Sequence, residues 1–119
     1  MPLKRIRLEL ARTRTFPDGS RSRGYEFTLP LKADGHIDAD AWPAEKSKCR
    51  VRRFWEGEDD RIGEIHHTRH RTWAFSYVPG EADDEHFYHL ETHVFRVGEY
   101  ISIREPDGET YPFKVMSVV

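Results

Sequence analysis

The chain has 119 residues, the size of one domain, and a chain of this length buries roughly two-thirds of the surface its unfolded form exposes. Charged residues make up 34% and the net charge is −2. Three Trp, five Tyr and seven Phe supply large pieces of buried area and argue against disorder.

No stretch approaches the roughly 18 apolar residues of a membrane span. Met1-Pro2-Leu3-Lys4-Arg5 leads into alternating residues rather than a signal-peptide apolar run. A cytoplasmic protein without membrane contact is expected. One cysteine, Cys49, cannot form an internal disulfide or build a multi-cysteine zinc site. Residues 1–55 carry a net +6 and residues 56–119 a net −8. In a one-domain fold this asymmetry is expected to neutralise across neighbouring strands.

In chain order, residues 3–12 place Ile6, Leu8 and Leu10 on one face and Arg5, Arg7 and Glu9 on the other, the period of a half-buried strand. Phe16-Pro17-Asp18-Gly19-Ser20 is a turn signal. Residues 24–31 alternate again, with Tyr25, Phe27, Leu29 and Leu31 inward; Pro30 marks an edge or a strand end. Asp34-Gly35-His36 is a second turn. Asp38 then offers an N-cap to one short helix near residues 38–46, which Pro43 confines to a turn or two.

Residues 49–55 are extended but imperfectly patterned, since Val51 faces with Arg53 while Phe54 faces with Arg50 and Arg52. A bulge or a two-sided strand accounts for this. An acidic turn over residues 56–60 precedes a hairpin of residues 62–67 and 72–78, whose second arm carries Trp73, Phe75 and Tyr77 on one face. Residues 86–90 suggest a further short strand or a ragged connection. Residues 100–104 and 110–118 flank Pro106-Asp107-Gly108, a tight hairpin signal. The expectation is an all-β domain spanning residues 1–119, a small antiparallel barrel or barrel-like sandwich of seven or eight strands.

Two constellations carry possible chemistry. Arg50, Arg52, Arg53 and Trp55, with Arg69, Arg71 and Trp73 as neighbours if the strands pair in order, mix guanidinium groups with aromatic faces. That mixture suits phosphate contact with base stacking. A pI of about 6.4 lies below that of most nucleic-acid binders. His66, His86, His89 and His93 form the second set, a histidine-dependent metal site, though no specific ligand spacing is present.

Asp83-Asp84-Glu85 with Glu81 could supply a general base, but no nucleophile motif, phosphate-binding glycine loop or dinucleotide fingerprint accompanies it. The reading that follows is a non-catalytic binding or interaction module with a nucleic-acid or protein partner. The alternative is a small metal-binding protein or enzyme, and a homo-oligomer joined through the aromatic face is a third reading. No cofactor is implied.

Ile6-Arg7-Leu8-Glu9-Leu10-Ala11-Arg12, Cys49-Arg50-Val51-Arg52-Arg53-Phe54-Trp55, Trp73-Ala74-Phe75 and residues 95–103 resemble a family of short bacterial proteins of unknown function, mainly alphaproteobacterial. The resemblance implies a bacterial cytoplasmic setting. It carries over no site residue.

Overall fold

The computed structural model describes residues 3–67, 73–76, 85–87, 94–104 and 108–119. Among the described residues the alternation of the sequence becomes eight strands: β1 (Leu3–Leu10), β2 (Ser20–Pro30), β3 (Arg50–Trp55), β4 (Glu58–His67), β5 (Trp73–Ser76), β6 (Glu85–Phe87), β7 (Tyr100–Arg104) and β8 (Thr110–Val118). They form one antiparallel sheet in the order β6-β5-β4-β3-β2-β1-β8-β7. A short helix α1 (Trp42–Glu45) and a 3-10 turn at Lys46–Lys48 stand between β2 and β3.

The helix begins after a turn that Asp38 organises, accepting the Ala41 amide on Oδ1 at 3.1 Å and the Trp42 amide on its carbonyl at 3.2 Å. Pro43 falls in the first turn, where its missing N–H costs nothing.

The expected closed barrel is not formed. The sheet curls so far that Cα atoms of its two edge strands, β6 and β7, come within 8 Å, yet among the described residues no ladder joins them. Closure needs a continuous, correctly staggered ladder, and β6 is only three residues long. The arrangement is likewise not a sandwich, because all eight strands belong to one sheet.

The concave face holds the core. Ile6, Leu8 and Leu10 of β1 lie between Tyr25, Phe27 and Leu29 of β2 and Phe113 and Val115 of β8, with Val51, Ile65, Ile101 and Ile103 around them. Tyr25 and Phe113 meet edge to face across β1 at 5.2 Å between ring centroids. Leu31, Ile37, Cys49 and Phe95 from the connections complete the cluster. Phe95 is held there because its amide donates to the Gly35 carbonyl at 2.8 Å. Gly35 permits that turn with φ +91°, which a side chain rarely adopts.

Two strands begin earlier than alternation indicates. The segment Ser20–Arg23 extends β2, with Arg23 opposite Trp55, and Glu58 to Arg61, expected partly as an acidic turn, is already strand β4. The turn itself shrinks to Glu56-Gly57, with Gly57 at φ +87°. Ion pairs Arg23–Glu56, Arg52–Asp60 and Arg53–Glu58 join the basic half of the sequence to the acidic half along this junction.

Candidate anion-binding site

Strand β3 is two-sided. Val51, Arg53 and Trp55 face the core, and Arg50, Arg52 and Phe54 face outward, so the arginine-aromatic group divides between two surfaces. Arg53 is 6% exposed. Its guanidinium carbon lies 4.5 Å from the Trp55 ring centroid, and Nη1 donates to Glu58 Oε1 at 3.2 Å.

Arg23 approaches Trp55 from β2 at 5.9 Å and stacks on Phe16 at 4.4 Å, donating to Ser20 Oγ and Glu56 Oε2. Tyr111 lies 6.0 Å from Trp55. This layer of cations and rings seals one end of the core. Trp55 is therefore not on the face that Arg50 and Arg52 present.

On the outer face, register places Arg7, Glu26, Arg52 and Ile62 in one row across β1 to β4. Glu26 Oε1 accepts from Arg7 Nη1 at 2.6 Å and also from Arg52 Nη2. Arg7 Nε adds Glu9 at 2.8 Å, and Arg52 Nη1 adds Asp60 at 2.9 Å. The Glu26 hydrogen bond raises the Arg52 pKa above its ordinary value, with Asp60 adding to it against the opposing cost of burial.

Phe54 fills the next row opposite Gly24. It lies beneath both guanidiniums, 4.4 Å from Arg7 and 5.2 Å from Arg52. At 8% exposure it orients the two cations and is no stacking platform. Gly24 is required here: a Cβ would stand 2.0 Å from the Leu8 carbonyl oxygen and 3.0 Å from Phe54 Cζ.

The row on the other side runs Arg5, Thr28, Arg50 and Glu64: Thr28 stands opposite Arg5 and Glu64 opposite Arg50, and Thr28 and Arg50 each adjoin the Phe27–Val51 pair that ends the β2–β3 register. Among the described residues neither the Arg5 nor the Arg50 guanidinium makes an ion pair or hydrogen bond. Both are exposed. A groove of about 200 Å³ opens between the two rows, lined by Arg5, Glu26, Thr28, Arg50, Arg52 and the half-exposed Ile62, over the β2–β3 backbone at Phe27 and Val51.

Arg69 and Arg71 lie outside the described residues, and Trp73 is described by its backbone, opposite His67 and Phe87. His89 and His93 also lie outside them, as do Glu81, Asp83 and Asp84; Glu85 begins β6. His66 and His86 both stand opposite Ala74, so their backbones are two strand spacings apart, about 10 Å. Among the described residues no three His, Cys, Asp or Glu side chains are grouped to hold a metal ion, and no helix is long and apolar enough to cross a membrane.

Sequence reasoning singled out Arg50 and Arg52 but missed Arg5 and Thr28. The alternation of β1 and β2 already assigned both to the outer face; only the register that aligns them with Arg50 was missing. Comparison with protein-family models, curated proteins and solved structures finds no match.

Proposed function

We propose that this domain is a non-catalytic binding module that engages an anionic partner through the outward face of β1 to β4. The observation supporting it is the contrast between two adjacent rows of arginines. Arg7 and Arg52 are held by carboxylates and by the Phe54 ring, whereas Arg5 and Arg50 flank a groove with their donors unengaged among the described residues. Guanidinium groups present fixed forks of N–H donors that match carboxylate and phosphate oxygens. A groove bordered by pre-oriented cations is suited to capture such groups.

The same geometry bears on the kind of partner. Phosphate contact combined with base stacking needs an exposed ring beside the arginines; among the described residues the rings near this face are the buried Phe54 and, behind the sheet, Trp55. The anion itself is therefore held by charge and hydrogen bonding rather than by ring stacking.

The test is a panel of anionic probes, heparin, a single-stranded oligonucleotide and a small phosphate ester, measured at low salt. Binding of at least one that weakens with salt, and that drops roughly tenfold or more in an Arg5→Ala/Arg50→Ala double variant, is expected. Failure of every probe to bind the wild-type protein ends this reading.

A further inference from the structure

We infer that the groove between Arg5 and Arg50 is a site for a phosphomonoester that carries a small apolar group. The inference rests on the anion-binding reading above and gives it a ligand class. Arg5 and Arg50 stand on either side of Thr28, two strand spacings or about 10 Å apart in backbone position. Each stem is long enough to bring its fork over the threonine.

Two forks and a hydroxyl suit the three terminal oxygens and double charge of a phosphomonoester better than a single carboxylate, which one fork satisfies. A phosphodiester inside a nucleic-acid chain presents only two such oxygens and one charge. Arg52, whose charge Glu26 and Asp60 balance, borders the groove in a fixed orientation.

The remaining lining is apolar where a substituent would lie. Ile62 is 51% exposed and stands opposite Arg52 on β4, on the groove side. A side chain of this kind gains from covering, at about 25 cal/mol per Å² of apolar area. The size of the groove limits that substituent. About 200 Å³ is below the 300–1,000 Å³ of ordinary ligand clefts, which fits a headgroup with one ring or a short chain.

Two carboxylates tune the site. Glu26 is engaged by Arg7 and Arg52, while Glu64 stands opposite Arg50 and repels anions that extend past it toward β4. A compact ester avoids Glu64, and a long polyanion crossing the strands meets it.

The experiment is a titration of the ¹⁵N-labelled full chain with phenyl phosphate, inorganic phosphate, heparin, and one oligonucleotide with and without a 5′-phosphate. Saturable shifts at the amides of Arg5, Thr28 and Arg50 are expected with phenyl phosphate, at several-fold higher affinity than inorganic phosphate. Arg5→Ala and Arg50→Ala should each lose roughly tenfold; among the described residues neither holds an ion pair, and circular dichroism verifies the fold. Ile62→Ser should bring phenyl phosphate down to inorganic phosphate without weakening the latter.

A preference for the 5′-phosphorylated oligonucleotide would identify a nucleic-acid end as a source of the group, whereas phenyl phosphate bound alone identifies a small molecule. Heparin or both oligonucleotides bound while phenyl phosphate is silent overturns the phosphomonoester site and leaves the broader anion-binding reading standing. Silence from every probe removes both.

Discussion

Arg52 and Arg53 are consecutive in β3 and lie on opposite faces of the sheet, one paired with Glu26 and Asp60 at the surface, the other stacked on Trp55 at the end of the core. Two identical side chains thus have different physical tasks. Their substitution should separate binding from stability.

Arg53→Ala removes packing over Trp55 and one partner of a pair whose other member, Glu58, is half exposed. A loss of about 2 kcal/mol is expected, chiefly from the stem and the ring contact. Arg53→Met should restore most of it. Glu58→Gln should cost less than about 1 kcal/mol, because Glu58 is half exposed and the glutamine oxygen can still accept from Arg53. Urea midpoints of the three variants check the order.

Glycine positions offer a second contrast. Gly24→Ala forces a methyl group into the Leu8 carbonyl, so the β1–β2 bulge must open; a loss above about 2 kcal/mol is expected. Gly57 has φ +87° but open space around it, so Gly57→Ala meets only backbone strain of about 1 kcal/mol. Equilibrium unfolding of the pair distinguishes collision from strain.

The resolution of β3 shows what the chain made legible. Alternation in residues 3–10 and 24–30 needed only the strand period, because each face there has one character. In β3 both faces carry arginine and an aromatic residue, so alternation alone is imperfect there; the outward Phe54 is sealed by Arg7 and Arg52. The polar starts Ser20–Arg23 and Glu58–Arg61 have no apolar period of their own. Their strand conformation comes from pairing, Ser20 with Leu10 of β1 and Arg23 and the start of β4 with β3, and from cross-strand ion pairs. Sheet closure was illegible for a related reason: it depends on how far the edges curl, which local alternation does not encode.

Cys49 gives a pH prediction. Burial, with Glu45 adding to it, raises its thiol pKa from 9.0 to about 11. The protonated thiol is favoured in the folded state, so its contribution is fully present below pH 9 and is lost as pH rises from 9 through 11. Two pKa units correspond to about 2.7 kcal/mol at most. Cys49→Ala should flatten that part of the stability profile. At pH 8 the native thiol should react with a disulfide reagent far more slowly than the thiol of the urea-unfolded chain.

Glu26→Gln tests the outer row. It releases Arg7 and Arg52 from a shared carboxylate, and a stability loss of about 1 kcal/mol is expected for two part-exposed pairs. Removing that negative charge beside the groove should at the same time tighten phenyl phosphate binding. Lower stability with unchanged or weaker binding would refute an anion in this groove.

The neighbours of β1 set a condition on how the chain reaches its native state. Ile6 stands opposite Phe27 on one side and Val118 on the other, so β1 forms one ladder with a segment about twenty residues away and its second with a segment more than a hundred residues away. Non-local ladders carry a large loop-closure entropy before they give any return, and chains rich in them fold in milliseconds to seconds. During synthesis the meander of β1 to β4 can assemble early. Until β8 arrives, β1 is an unguarded edge with Ile6, Leu8 and Leu10 uncovered on one side, and this is the stage at which the chain is most open to mispairing with another copy of itself.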